Sequence, residues 1–308
     1  MIVDDEIINQ EILKEILSKD YEVLLAGNGI EALHVIETSV APISLILLDL
    51  NMPLMDGLTL IREIKKDEKN KNIPIIVLTS DEVFSNFRSL RSGNLKDNYL
   101  YRSASPCDNQ HNRASHVDQL IEANGVRHIV NLADNDDKIK GYMAKDDFNS
   151  EYFETLFNKD DLDNDHVDAL ALNMNFESDY FKGQVINALI AIKNNEGPIL
   201  IHCTEGKDRT GFVCMLIEAL AGASFLEIEE DYMMTYFNYY AITKAFEEVK
   251  YNTIVDNVLV PMIESLGGGE AIDVKNTDLA ILAKNYLLRN GMSENDINGL
   301  LEVICQNK

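Results

Sequence analysis

The stretch His202-Cys203-Thr204-Glu205-Gly206-Lys207-Asp208-Arg209-Thr210-Gly211 sets a cysteine and an arginine at the two ends of one short loop. An apolar run, Pro198–Ile201, precedes it, and a helical apolar run follows from 210. A tight loop seated on a helix N-terminus turns backbone N–H groups inward and makes a cradle for an anion. Gly206 and Gly211 permit the turn and the close approach. Thr204, Glu205, Gly206, Lys207 and Thr210 supply the rest of the phosphate-binding loop. Cys203, at the loop entrance, stands in the same positive field, which favours the thiolate. Arg209 returns to the cavity and can clamp two phosphate oxygens at once, which a lysine cannot. The chemistry this implies is in-line attack of a thiolate on a phosphate monoester, giving a phosphocysteine that water hydrolyses. A lone cysteine near a helix start is usually a small buried hydrophobe. Cys203 differs because glycines, arginine, strand and helix coincide around it; Cys107, Cys214 and Cys305 lack that setting, and Cys214 reads as core.

Such a loop needs a strand to deliver it and a helix to back it. The periodicity predicts the strand at 198–201 and helices at 179–193, 210–221, 224–240, 242–265, 277–289 and 293–305. Ser224-x-x-Glu227 and Ser293-x-x-Asp296 read as helix starts, with Gly222 and Gly291 as stops. Ser115-x-x-Asp118 reads as the cap of a helix ending at Gly125, followed by a strand over 126–132. Asn86–Pro106 reads as loop plus a short strand at 99–101. The first eighty residues have a different texture, alternating strand and helix in βαβαβαβ order. The helices fall at 7–18, 29–37 and 58–66. Ile8, Ile12, Leu13, Ile16 and Leu17 line one face of the first. Leu45–Leu48 is a continuous apolar run, as in a strand buried on both faces. That order implies a parallel, doubly wound sheet with ligands at the strand C-termini.

Composition bounds the rest. The chain has 308 residues, 27 Lys+Arg against 52 Asp+Glu, and a net charge of −25. Residues 1–82 carry −9 of this and 83–308 carry −16, so no single tail or patch holds it. This balance argues against nonspecific nucleic-acid binding and against docking on an anionic membrane. No apolar run reaches the length of a membrane span. The acidic N-terminus is not a signal peptide, and the scattered cysteines form neither a disulfide framework nor a zinc site. A cytoplasmic protein of two domains, 1–82 and 83–308, is expected.

The Cys203–Arg209 loop resembles that of cysteine-dependent protein tyrosine phosphatases. Its Gly-Lys-Asp-Arg-Thr-Gly form resembles the bacterial atypical, triple-specificity subgroup, which acts on phosphotyrosine, phosphoserine/threonine and phosphoinositides. Asn86-Phe87-Arg88-x-Leu90 and Leu100-Tyr101-Arg102-Ser103 resemble the subgroup's entry motif, with Ser89 and Arg91-Ser92 where Asp and Gly-Gly are usual. Val130-Asn131-Leu132-Ala133 resembles an Asp-Leu-Arg strand end; Asp231-Tyr232 and Tyr286-Leu287 … Gly291-Met292-Ser293 … Ile297 also match. The resemblance covers about residues 84–308 and implies a tyrosine-phosphatase-like α/β domain with a helical C-terminal half and no cofactor. It implies Cys203 as nucleophile, Arg209 as clamp and Asp208 as the acid that protonates the leaving group. The usual mobile Trp-Pro-Asp loop is absent, since the chain has no Trp. Asp134 and Asp136 are the alternative acids. Thr210 is expected to bond the Cys203 sulfur, and His202 to orient the loop. Lys207 either adds charge against further phosphates or balances Glu205; Arg102 either reaches the phosphate or braces its site. The aromatic run Tyr232, Tyr236, Phe237, Tyr239 and Tyr240 is core, part of it walling the cleft. Substrates would be phosphotyrosyl protein or phosphoinositide.

The N-terminal part resembles a response-regulator receiver. Asp4-Asp5-Glu6, Asp49 at a strand end, Asn51-Met52-Pro53-x-x-Asp56-Gly57 and Leu78-Thr79-Ser80 carry the likeness. It implies an incomplete flavodoxin-like unit in which Asp4, Asp5 and Asp49 bind Mg²⁺, Asp49 accepts a phosphoryl group, Thr79 bonds to it, and a histidine kinase is the donor. No Lys-Pro strand end follows Thr79, and phosphatase-like motifs begin at Asn86 instead, which argues against phosphorylation-driven switching. A cropped sheet also exposes an edge and apolar surface. Asp161-Leu162-Asp163-Asn164-Asp165 is no EF-hand, because position six is His166 and position twelve Leu172.

Overall fold

A computed structural model describes residues 1–306 apart from 51, 79, 159–165, 246 and 271. The readings placed on Asn51, on Thr79 and on Asp161–Asp165 lie outside the described residues. The chain divides into two units, Met1–Ser80 and Asp81–Lys308.

The first unit runs β1 (Ile2–Val3), α1 (Ile7–Leu17), β2 (Leu25–Ala26), α2 (Gly29–Thr38), β3 (Ile46–Asp49), α3 (Gly57–Lys66) and β4 (Ile75–Leu78). Its strands pair in parallel in the order β2-β1-β3-β4. This is the doubly wound order that the alternating pattern implies. Val3, Ala26, Ala32, Ile46, Leu48, Leu60 and Ile64 form its core. Asn28 and Asp56 cap α2 and α3 by accepting the N–H of Glu31 and of Thr59. Burial on both faces of the sheet is not reached: Ile46 and Leu48 are buried, while Leu47 is half-buried. Nor does α1 use the apolar face read from its sequence, for it buries none of its residues and leaves Ile8, Ile12 and Ile16 exposed. On the edge strand β4, Ile76 and Val77 are exposed as well.

The second unit opens with α4 (Asp81–Phe84), β5 (Arg88–Ser89) and β6 (Leu100–Ser103). It continues through α5 (Ala114–Ala123), β7 (His128–Asn131), α6 (Asp136–Met143), α7 (Glu151–Phe157), β8 (Val167–Ala169), α8 (Asp179–Asn194) and β9 (Ile199–His202). Then come α9 (Asp208–Leu220), α10 (Phe225–Tyr240), α11 (Glu248–Ile254), a π turn at Val255–Leu259, α12 (Val260–Glu264), α13 (Leu279–Arg289) and α14 (Glu294–Ile304). The sheet order is β5-β6-β9-β7-β8, antiparallel only between β5 and β6. β9 is thus central, and side chains alternate across it, as the pleat requires. Leu200 joins Val117, Ile121, Ile139 and Phe153 of α5, α6 and α7 on one face. Ile199 and Ile201 join the larger core of α8, α9, α10, α13 and α14 on the other.

Ser224 and Ser293 cap α10 and α14 as expected, the first in a complete capping box with Glu227. The cap predicted at Ser115 is not formed. α5 starts two residues earlier, behind Arg113, and Asp118 points across to α7, where it accepts the N–H groups of Tyr152 and Phe153 at 3.1 and 2.7 Å. A side chain buried between two helices serves the end that has free donors, whichever helix carries it.

Candidate active site

Cys203 follows β9 directly, and α9 begins at Asp208, so the loop 203–207 lies between the end of the central strand and a helix N-terminus. Gly206 sits at φ +66, and a Cβ there would lie 2.1 Å from the Ser103 carbonyl oxygen. Only glycine lets the loop pass this close to β6.

The loop's carbonyls all face outward. Cys203 O lies 3.1 Å from His202 Nδ1, Thr204 O accepts the N–H of Ser105 at 3.1 Å, and Glu205 O accepts the Tyr239 hydroxyl at 2.5 Å. Gly206 O accepts Arg102 Nη2 at 2.8 Å and Asn86 Nδ2 at 3.2 Å, and Lys207 O accepts the N–H of Gly211 at 2.8 Å. Among the described residues, the backbone N–H groups of Thr204 to Asp208 donate none of the hydrogen bonds. A loop whose carbonyls point out and whose N–H groups are unengaged presents those donors to its own centre.

Cys203 is buried at the entrance to this ring. The half-buried Arg209 donates through Nη1 to Ala133 O and Leu172 O at 3.4 and 3.3 Å, and through Nη2 to Thr204 Oγ1 at 3.2 Å. Its Nε is buried with no partner among the described residues. Asp208 is the first residue of α9, and burial pushes its carboxyl above the ordinary range, with Glu205 adding to the effect and Lys207 and Arg209 opposing it. Lys207 Nζ lies 3.3 Å from Glu205 and 4.0 Å from Asp208, so it balances its loop neighbours. His202 is fully buried, and burial lowers its imidazole to about 4, so it is neutral at pH 7 and holds the Cys203 carbonyl.

Asp134, Asp136 and Arg102 are the other predicted residues. Asp134, 1% exposed, is ion-paired to Lys138 at 2.6 Å and shares hydrogen bonds with Asn131 and Tyr142. Asp136 is exposed in the first turn of α6. Arg102 is fully buried and spends its guanidinium on Asp231 and the Gly206 carbonyl, which braces the loop. Thr210 does not bond the Cys203 sulfur: it is already the third residue of α9, fully buried, and its hydroxyl has no partner among the described residues. Tyr239, read as core or cleft wall, instead braces Glu205. The Ala133 and Leu172 carbonyls that hold Arg209 carry no signature in sequence, because every residue offers that group. In the first unit, Asp4, Asp5 and Asp49 each bring a carboxylate oxygen within 4.8 Å of the others.

Residues 82–289 match the tyrosine phosphatase family, over two thirds of the chain. The chain belongs to the tyrosine phosphatase family. The Cys203–Arg209 loop lies within that match, and residues 1–94, ahead of and overlapping it, match the response regulator receiver domain. Chemotaxis protein CheY1 of Helicobacter pylori is 34% identical over 112 residues, covering 34% of this chain and 86% of that protein. Hybrid signal transduction histidine kinase M of Dictyostelium discoideum is 38% identical over 85 residues, covering 26% of this chain and only 4% of the kinase's length. Among solved structures, the core catalytic domain of the PP-IP phosphatase SIW14 from S. cerevisiae matches with a TM-score of 0.32 and 21% identity, over 59% of this chain and 93% of that one. No helix among the described residues is long and apolar enough to cross a membrane.

Proposed function

We propose that the chain hydrolyses phosphate monoesters through a phosphocysteine at Cys203, with phosphotyrosyl protein as substrate. The observation that carries this is the ring of outward carbonyls at Cys203–Lys207, which leaves the inward N–H groups to a phosphate. The buried, unpartnered Arg209 Nε supports it, because a phosphate oxygen would satisfy that donor. The Cys203 thiolate attacks phosphorus, the P–O bond to the leaving group breaks, and Asp208 gives its proton to the departing oxygen. Water then attacks the phosphocysteine, Asp208 takes the water's proton, and Cys203 leaves as thiolate with inorganic phosphate released. Burial raises the Asp208 carboxyl, which favours the protonated form that the acid role needs. Asp134 is less suited, because Lys138 already holds its carboxylate. Turnover of an aryl phosphate in EDTA tests the reading. The activity is expected to persist with chelator and vanish in Cys203→Ser; metal-dependent turnover, or turnover that survives the substitution, overturns it. Inositol phospholipids in the same assay probe the alternative substrate class, for which Lys207 is a local cation.

A second reading concerns the first unit. The clustered oxygens of Asp4, Asp5 and Asp49 fit the oxygen ligand set of Mg²⁺. Bound there, the ion would neutralise charge on a phosphoryl group passed to Asp49 from a histidine kinase. Labelling of the chain by acetyl phosphate with Mg²⁺, absent in Asp49→Asn, is the expected result; no labelling removes the reading.

A further inference from the structure

The peptide between Gly206 and Lys207 is held from outside by a buried guanidinium and a buried amide. A trans peptide plane carries its carbonyl and its N–H on opposite sides. Fixing Gly206 O toward the protein therefore aims the Lys207 N–H into the ring. Two side chains do the fixing, Arg102 and Asn86. Neither is free to drift. Arg102, 1% exposed, is tied through Nη1 to Asp231 at 2.5 Å. The other Asp231 oxygen takes Arg88 Nε at 2.7 Å, and Arg88 Nη1 donates to Asn86 Oδ1 at 2.6 Å. Asn86 itself adopts the left-handed conformation, φ +52, and is completely buried. β5, β6 and α10 thus converge on one peptide group.

Two carboxyls lie among the guanidiniums beneath the loop. Burial works against the Asp231 carboxylate, but Arg88 and Arg102 outweigh it and hold Asp231 below the usual range. Glu218 of α9 is the second carboxyl there; burial pushes it well above the usual range, and Ser92 donates to it at 2.8 Å.

We infer that Arg102 is a positioning residue for phosphate binding: it acts through the Gly206 carbonyl, with Asn86 as its partner and Asp231 as its anchor. The inference rests on the hydrolytic reading of the same loop and says what gives the loop its affinity. The test is calorimetric titration of the intact chain with tungstate, a phosphate-shaped oxyanion, together with kcat and KM on aryl phosphates. Arg102→Lys keeps the charge but loses the fork. Asn86→Gly keeps the left-handed backbone and removes the Nδ2 donor together with the Oδ1 that accepts Arg88 Nη1. Each is expected to weaken tungstate by about tenfold or more, the scale of one charge-assisted hydrogen bond. Each should lower kcat/KM equally for good and poor leaving groups. Ser224→Ala, which loosens α10 far from the loop, serves as the stability control; it should shift the melting temperature and leave tungstate affinity unchanged. A folded Arg102→Lys with parental tungstate affinity makes Arg102 a core ion-pair partner and overturns the inference; if that variant does not fold, parental affinity in Asn86→Gly does the same. A parent that binds tungstate but turns over nothing overturns the hydrolytic reading alone, and the variants still decide this one. A parent that binds no tungstate overturns both.

Discussion

At the scale of single residues, the site separates two carboxyl roles that sequence leaves open. Asp208 sits on the loop with a raised carboxyl, while Asp134 is committed to Lys138. Asp208→Asn should therefore lower kcat by roughly 10²-fold on alkyl phosphates and far less on nitrophenyl phosphate, whose leaving group needs no proton. Equal losses on both would take Asp208 out of the acid role. His202 gives a second expectation, through stability. Its folded value, about 4, lies below its unfolded value of about 6.5. Between those values the unfolded chain binds the extra proton, so stability must rise with pH there and fall on acidification. From pH 7 to pH 5 the native state should lose about 2 kcal/mol through this one imidazole. Thermal melts of His202→Asn should show a correspondingly flatter dependence over that window; an unchanged slope would mean that other groups carry it.

At the scale of elements, the strand–loop–helix unit that carries Cys203 was legible because its pattern is local. β9, the two glycines and the start of α9 occur within some twenty consecutive residues, and the structure places them within one or two positions of the reading. The glycine requirement leads to a sharp expectation. Gly206→Ala would put a Cβ 2.1 Å from the Ser103 carbonyl in a positive-φ conformation. The loop must then move away from β6, so kcat/KM should fall by about 10²-fold or more while the fold survives, at a cost of about 1–3 kcal/mol in a thermal melt. Parental kinetics in Gly206→Ala would show that the loop tolerates the shift. The bracing network was not legible in the same way. Asn86, Arg88, Arg102 and Asp231 all belong to motifs visible in the sequence, yet their contacts span 129 to 143 positions between α10 and β5 or β6. Periodicity cannot pair groups so far apart. The cap at Ser115 failed for a related reason: Asp118 found its donors on α7, a helix that the acidic 134–168 stretch concealed. In the first unit, the apolar face of α1 is legible in the sequence but its exposure is not, because amphipathic spacing shows which face could be buried and not whether anything buries it.

At the scale of the whole molecule, charge and the proposed function pull in opposite directions. Residues 83–308 alone carry −16 of the −25, and the proposed substrate is a phosphate dianion. The long-range field repels such a substrate, whereas Arg209 attracts it only at short range. Salt separates the two contributions. The Debye length falls from about 30 Å at 0.01 M to about 8 Å at 0.15 M, so exposed acidic residues are screened while the half-buried Arg209 is screened much less. For an acidic phosphotyrosyl peptide, kcat/KM should rise severalfold over that range, through KM, with kcat unchanged. For a singly substituted aryl phosphate the rise should be smaller, since fewer substrate charges feel the field. An inositol phospholipid drawn in by local cations such as Lys207 would show the reverse, a fall with salt. The sign of the salt effect, measured on peptide and lipid side by side, thus reports which substrate class the surface favours. A fall in kcat/KM for the peptide would mean that a basic rim outweighs the global charge, and would count against phosphotyrosyl protein as the preferred substrate.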